Sequence, residues 1–435
     1  MKKRQWIITY LSIIIILFIF YSMAQSHYSV STIPDEGKDL FQEEPLLLTP
    51  YQLWIEDKDY SLSLYEPKEG CYAGAYILSN KEINFDIYEF ENKTKKPHSI
   101  YIRNMKLGEP FPLDWVLECY SYMKTPHIII HPPSESFPYQ EHLLEQTAKE
   151  FGEFFIPMFV QFYPNPSQYF GNHIQYQDFF QKAYYAFKTN APNVSIIWSI
   201  AYENLYDSYL YDPGDTYFDW IGLNMYLPSK IEEEKKGETI LQYIHDFYMI
   251  YQCRKPLMIS QLGVPHYSKK DHRYYIKEAK QTLNSIYNAV EARYPRIKAI
   301  HYMDINNVET NPSYANWENF SITEEMEVLH TYQKLIKSPH YLEELDVKHT
   351  GDVQSRWILM DTPVYSLQQG FYISNVFLKY PYFKDLYPKF NNTTVEPLII
   401  KDQTLYSLEN ICDVIGYQFK IDEINKQIYL TLNRS

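Results

Sequence analysis

Eight short apolar runs, each followed by a longer amphipathic or polar stretch, mark out the architecture of this chain of 435 residues. The runs are Cys71–Leu78, Ser99–Met105, His127–Pro132, Ile156–Tyr163, Val194–Tyr202, Trp220–Tyr226, Pro256–Leu262 and Ala299–Ile305. Between them, apolar residues recur at helical spacing in Leu113–Met123, Tyr139–Phe151, Tyr176–Ala191, Glu238–Gln252 and Tyr274–Arg293, and again in Glu324–Ile336 after the last run. Nearly continuous apolar strands are what a helix-covered sheet requires. Eight of them alternating with helices predict an α/β fold built on a closed parallel (β/α)8 TIM barrel. A doubly wound open sheet gives the same alternation but carries a glycine-rich phosphate turn after its first strand. Here Gly74 stands alone, and no G-x-G-x-x-G or G-x-x-x-x-G-K motif occurs.

Charge and composition remove several function classes. The net charge of −14 argues against nucleic acid, whose phosphates are bound by Lys and Arg. The four cysteines are far apart, without C-x-x-C or zinc spacing, and read as small buried hydrophobes; a Cys71–Cys119 bridge is left open. Aromatic residues form 17% of the chain, 44 of them tyrosines. That excess has two readings, ordinary packing with compositional bias or a surface that stacks on sugars, because tyrosine joins an apolar face to a hydroxyl.

At the amino terminus, Lys2, Lys3 and Arg4 precede an uncharged, mostly apolar run from Trp6 to Ala24. At ~1.5 Å per residue it reaches about 28 Å, close to a hydrocarbon core of ~30 Å. The basic flank would stay cytoplasmic and send the remainder outward. Ser22-Met23-Ala24 resembles a cleavage site, so the segment is a signal peptide or an uncleaved anchor, and its length favours the anchor. The expected organisation is 1–25 as that segment, 26–68 as a linker or stalk with an edge strand near Leu46–Leu53, 69–338 as the barrel and 339–435 as a small α+β module. The body is then extracytoplasmic, tethered to the membrane or secreted.

In such a barrel chemistry gathers where the strands end. Those ends carry His131, Tyr163, Tyr202, Glu203, Asn224, Tyr226, Gln261 and Asp304, with Trp198 shortly before one of them. Glu203 and Asp304 are the two carboxylates expected at the mouth, as an acid and base if ~6.5–9.5 Å apart, or as solvated rim residues. Tyr206, Tyr209, Tyr211 and Tyr217 crowd the loop after the fifth run, as a stacking wall or a loop packed on itself. Asp215 reads as the cap of a short helix. His127, His131, His173, His266 and His301 do not have a metal-binding spacing, so no metal or cofactor is implied. His131 is the histidine expected to bond a sugar hydroxyl.

Several strand-end segments resemble glycoside hydrolase family 26, the β-mannanase-like barrels. The stretch APNVSIIWSIAYEN to YDPGDTYFDWIGLNMY (Ala191–Tyr226) carries most of the likeness, joined by KPLMISQLGVPHYS (Lys255–Ser268), IKAIHYMDINN (Ile297–Asn307) and GCYAGAYIL (Gly70–Leu78). The resemblance implies a retaining glycosidase with two glutamates. The nucleophile position is Gln261 here, and the acid/base position falls near Tyr163 or Pro164. A retaining mechanism needs two carboxyl groups ~5–5.5 Å apart, and a neutral amide is too weak a nucleophile to form the glycosyl ester. The resemblance therefore implies a barrel that recognises polysaccharide through His131, Tyr163, Trp198, Tyr202, Tyr226 and Gln261 with cleavage impaired. The alternatives are an active glycanase using Glu203 and Asp304, or a structural envelope protein. By the same resemblance Tyr226 would contact Gln261.

After about Pro339 the alternation gives way to β-like runs at Trp357–Met360, Val364–Ser366 and Phe371–Ile373. Val395–Leu432 resembles the small stalk module known as the copper amine oxidase N-terminal domain. Leu408–Ile415 is its expected helix, Gly416 the C-cap, and Gln418–Leu432 a hairpin turning near Asp422–Asn425. No copper is implied.

Overall fold

The computed structural model describes residues 49–133, 141–169, 172–229, 240–310, 318–367, 370–379, 395–400 and 403–432. The amino-terminal segment and the expected strand start near Leu46 lie outside the described residues. Among those described, no helix is long and apolar enough to cross a membrane.

In chain order the strands are β1 (Thr49–Ser61), β2 (Cys71–Tyr76), β3 (Ile100–Lys106), β4 (Thr125–His131), β5 (Met158–Phe162), β6 (Val194–Ala201), β7 (Trp220–Tyr226), β8 (Leu257–Gly263), β9 (Ile297–Met303), β10 (Val353–Leu367), β11 (Gly370–Ile373), β12 (Leu398–Ile400), β13 (Gln403–Ser407), β14 (Tyr417–Asp422) and β15 (Gln427–Leu432). Two-residue bridges are left unnumbered. The main helices are α1 (Ile87–Thr94), α2 (Leu113–Ser121), α3 (Glu141–Gly152), α4 (His173–Asn190), α5 (Ile240–Tyr251), α6 (Ile276–Arg293), α7 (Met326–Ile336) and α8 (Leu408–Ile415).

Strands β2 to β9 pair in parallel in sequence order, and β9 pairs back onto β2 from Ala299↔Tyr72 to Met303↔Tyr76. The sheet is thus a closed eight-stranded parallel barrel, and each expected strand overlaps an observed one. Local chemistry places the helix ends: Asp86, Asn172 and Ser407 each accept a backbone N–H of the first turn. Gly416 ends α8 at φ 76°, in the left-handed region where glycine costs least.

The barrel interior is layered by the two-residue alternation of its strands. The floor is apolar, formed by Tyr72, Ile100, Phe159, Ile197, Trp220, Met258 and Ala299 under Tyr65. Above it lies a polar layer of His127, Gln161, Ser199, Ser260 and His301, with Gly74 and Gly222 giving room: a Cβ on Gly74 would sit 2.3 Å from His301 Cδ2. Ile102, Ile129 and Met303 cap this layer toward the strand ends, with Tyr76 and Tyr226 packed on them.

Three expectations are corrected. Residues 49–68 are no linker. β1 lies inside a seven-stranded sheet, between β10 and β15. The segment after β1 seals the barrel floor: Trp220 Nε1 donates to Leu64 O at 2.8 Å and Tyr65 Oη to Asn193 O at 2.7 Å. The edge strand expected near Leu46–Leu53 thus overlaps β1 but runs on to Ser61 and is no edge; its polar, acidic residues hid that length, because only alternate positions such as Leu53 and Ile55 are buried in the second core. Cys71 and Cys119 are both buried and free, so no bridge joins them. Cys253 is exposed rather than buried. In the carboxy-terminal part, the separate runs at Trp357–Met360 and Val364–Ser366 are one strand, β10, while α8, Gly416 and the β14–β15 hairpin lie as expected.

Candidate functional site

At the carboxyl ends of the barrel strands, inward positions are set by the same alternation. On β3 the inward series Ile100, Ile102 ends in Asn104; on β4 the series His127, Ile129 ends in His131. The two ends meet, His131 Nε2 lying 2.9 Å from Asn104 Oδ1. Partial burial lowers the His131 pKa, so at neutral pH the ring is uncharged. An Nε2–H held by Asn104 leaves Nδ1 as an acceptor. Asn104 escaped the sequence reading, although its place in the alternation with Ile100 and Ile102 would have found it.

Gln261 lies at the end of β8 and is 6% exposed. The β7–β8 ladder skips a residue there, pairing Leu223 with Ile259 and then Asn224 with Gln261. This β-bulge turns two consecutive residues inward. Ser260 Oγ donates to Asn224 Oδ1 at 2.7 Å, and Gln261 shares the register of inward Asn224. Asn224 Nδ2 donates to Pro164 O at 3.0 Å, and Gln161 Nε2 to Asn224 Oδ1 at 3.0 Å and Ser199 Oγ at 2.8 Å. An amide-rich network therefore underlies Gln261. Tyr226, half-buried, packs against Phe320 at 5.7 Å and beside Gly263, and burial pushes its phenol pKa up.

Other expected residues sit elsewhere. Trp198 is 0% exposed and faces the helices, 5.4 Å from Phe218 and 5.6 Å from Tyr251. Its neighbour Ser199 faces inward, so alternation sends Trp198 outward. Tyr163 is also fully buried, stacked on Phe179 of α4 at 4.4 Å. Its φ of 45° is left-handed, which breaks the alternation that would have turned it inward after Phe159 and Gln161.

Asp304 is fully buried rather than at the rim. Its oxygens accept from Asn80 Nδ2 at 2.5 Å, Ile322 N at 2.7 Å and Thr323 Oγ1 at 3.0 Å. Burial raises its pKa while these bonds oppose the shift. It anchors the segment after the barrel to Asn80, a carboxylate satisfied by protein donors. Glu203 is exposed and lies in the first turn of the 3-10 segment Tyr202–Tyr211. Burial first, then the charges of Glu203, Tyr243 and Glu318, raise the Tyr202 pKa. Glu203 and Asp304 therefore do not meet as a rim pair.

The tyrosines after β6 divide. Tyr206 and Tyr209 are exposed, Tyr206 Oη donating to Asp246 at 2.6 Å, whereas Tyr211 packs on Tyr176 and Tyr217 on Tyr184 and Tyr185. Asp215 caps no helix by its side chain; with Asp212 it holds Arg254. Asp219 accepts from Lys188 Nζ at 2.6 Å and Ile196 N at 2.7 Å. His127 and His301 meet inside the barrel, Nδ1 to Nδ1 at 3.2 Å. Among the described residues no group of three His, Cys, Asp or Glu could hold a metal ion.

No protein-family model and no curated protein matches the chain. Among solved structures, the chain is similar to GH26C from Muricauda sp. MAR_2010_75 at 11% identity and TM-score 0.48, covering 66% of this chain and 91% of that one. The catalytic domain of the Bacillus sp. JAMB-750 GH26 endo-β-1,4-mannanase matches at 12% identity and TM-score 0.46, covering 68% and 98%. A GH26 β-mannanase from Bacteroides ovatus matches at 11% and 0.45, covering 66% and 92%.

Proposed function

We propose that this chain is an exported, membrane-tethered, glycoside hydrolase-like barrel that recognises a polysaccharide without efficient cleavage. The observation that carries the reading is Gln261, an inward, nearly buried amide at the strand end where the sequence resemblance places a nucleophile. An amide donates and accepts hydrogen bonds but cannot form a glycosyl ester at a useful rate. The two carboxylates expected at the mouth do not pair with each other: Asp304 is enclosed by its donors and Glu203 stands exposed on the segment beyond β6. What the mouth supplies is recognition chemistry, with His131–Asn104, Gln261 and the Tyr226 ring as hydrogen-bonding and apolar partners for a sugar. Export and tethering rest on the basic flank and apolar run at residues 2–24.

The test uses the full-length chain in detergent with a panel of wall and plant β-glycans, scoring retention and new reducing ends. Retention without reducing ends is expected. Cleavage abolished by Glu203→Gln would overturn the reading in favour of an active glycanase with relocated carboxylates. Retention of no glycan would favour a structural envelope role.

A further inference from the structure

The seven-stranded sheet changes character along one face. Where β1 and β10 meet the barrel, that face is apolar and closed: Trp54 and Leu359 are each 3% exposed and belong to the barrel's core cluster. Farther along, a groove of about 1150 Å³ opens between β14–β15 and the end of α6, where Glu291, Ala292 and Pro295 form the opposite wall. Pro295 precedes β9, so the groove lies at the amino-terminal end of the barrel strands, away from the mouth.

Register places the groove's side chains. Tyr429 pairs with Trp54, and Lys420 with Tyr429, so all three share the face. Gln418 pairs with Thr431 and Asp422 with Gln427 on that same face. A sheet surface built only to close on the barrel would stay apolar. This one turns polar around two half-buried rings, Trp357 and Tyr429, whose centroids are 4.9 Å apart and whose planes meet at 74°. Trp54 lines the groove, and its buried indole N–H has no hydrogen-bond partner among the described residues. A corner of two rings bordered by amides and a hydroxyl suits the apolar faces and equatorial hydroxyls of pyranose units. Charge narrows the choice: the carboxylates Glu291, Asp422 and Glu423 outnumber the ammonium of Lys420 along the groove, which opposes an anionic polymer.

We propose that this groove is a second saccharide site that takes an uncharged oligosaccharide in extended form. It stands independently of the reading of the barrel mouth.

The test titrates the full-length chain with mannohexaose, cellohexaose and chitohexaose, and with hexagalacturonate as the anionic control, by calorimetry and tryptophan fluorescence. At least one neutral hexaose should bind, and the Gln418→Ala/Lys420→Ala double variant should weaken it tenfold or more. Both side chains are exposed, so the double variant keeps its fold; Trp357→Ala, checked by circular dichroism, should weaken the same ligand. His131→Ala, at the mouth, should leave this binding unchanged. Wild-type affinity in the double variant, no binding of any neutral hexaose, or tighter binding of hexagalacturonate overturns the proposal. Loss in His131→Ala alone overturns it too, while leaving the mouth reading intact.

Discussion

The carboxylate of Glu66 and the guanidinium of Arg296 form an ion pair that is almost wholly out of solvent, at 0% and 3% side-chain exposure. It ties the segment before the first barrel strand to the start of the last. Tyr60 Oη donates to the same carboxylate at 2.5 Å, and its ring packs under Arg296 at 4.2 Å and Arg356 of β10 at 4.0 Å. Removing one partner strands a buried charge, at a cost of about 3–5 kcal/mol. Glu66→Ala should therefore lower the urea midpoint strongly, whereas Lys68→Ala, which removes an exposed, solvent-screened pair with Asp352, should leave it nearly unchanged. Equal midpoints for the two variants would refute the assignment.

Acid should weaken the fold before ordinary carboxylates titrate. Burial lowers the pKa of His98 and His301 from 6.5 to about 3 and that of His127 well below 6.5. Depressed native values mean that the unfolded chain binds more protons below pH 6.5, so stability is full above that pH and falls as pH drops toward the folded values. Each histidine contributes a slope of up to about 1.4 kcal/mol per pH unit in that window. Urea titrations from pH 7 to 5 should show declining midpoints, and His98→Phe should flatten the decline. A midpoint independent of pH over that range would contradict it.

Gly74→Ala should be destabilising by about 1–3 kcal/mol, because its Cβ would meet the His301 ring inside a packed barrel. Adding His301→Ala should recover part of the loss in a double-mutant cycle. Additive costs would show that the two positions do not share the space.

Gln261→Glu should not create a glycosidase. The acid/base position implied by the sequence resemblance falls near Tyr163 or Pro164, neither of them a carboxylate, with Tyr163 turned into the helix layer, and a retaining reaction needs both an acid and a nucleophile. Reducing-end assays should stay at background with the variant. Sustained turnover would show that a second carboxyl group reaches the mouth.

Truncation after residue 338 should leave an insoluble barrel rather than an independent one. β1 would lose β10 and β15, its partners on both sides, and expose Leu53 and Ile55, both 0% exposed in the whole chain. Recovery of a soluble monomer with the native circular dichroism spectrum would show that the module folds separately.

The barrel strands were legible because each is a short run of apolar residues bounded by polar ones, and helix-covered strands need little else. The helix α8, its glycine cap and the final hairpin were legible for the same local reasons. What alternation alone could not supply was the departures from alternation. The left-handed Tyr163 and the bulge at Ser260 each change the direction a side chain would take from the two-residue alternation, and the local apolar pattern signals neither. Asp304 looks like a rim acid until Asn80, Ile322 and Thr323 close around it. β1 looks like a short edge strand in a stalk until β10 and β15 pair with both its edges. The order of strands and helices and the amide at position 261 are written in the residues alone, since periodicity and residue identity are local. Which polar groups face the mouth and which are consumed in holding loops depends on the folded arrangement, because a hydrogen bond's partner is set by packing between distant segments.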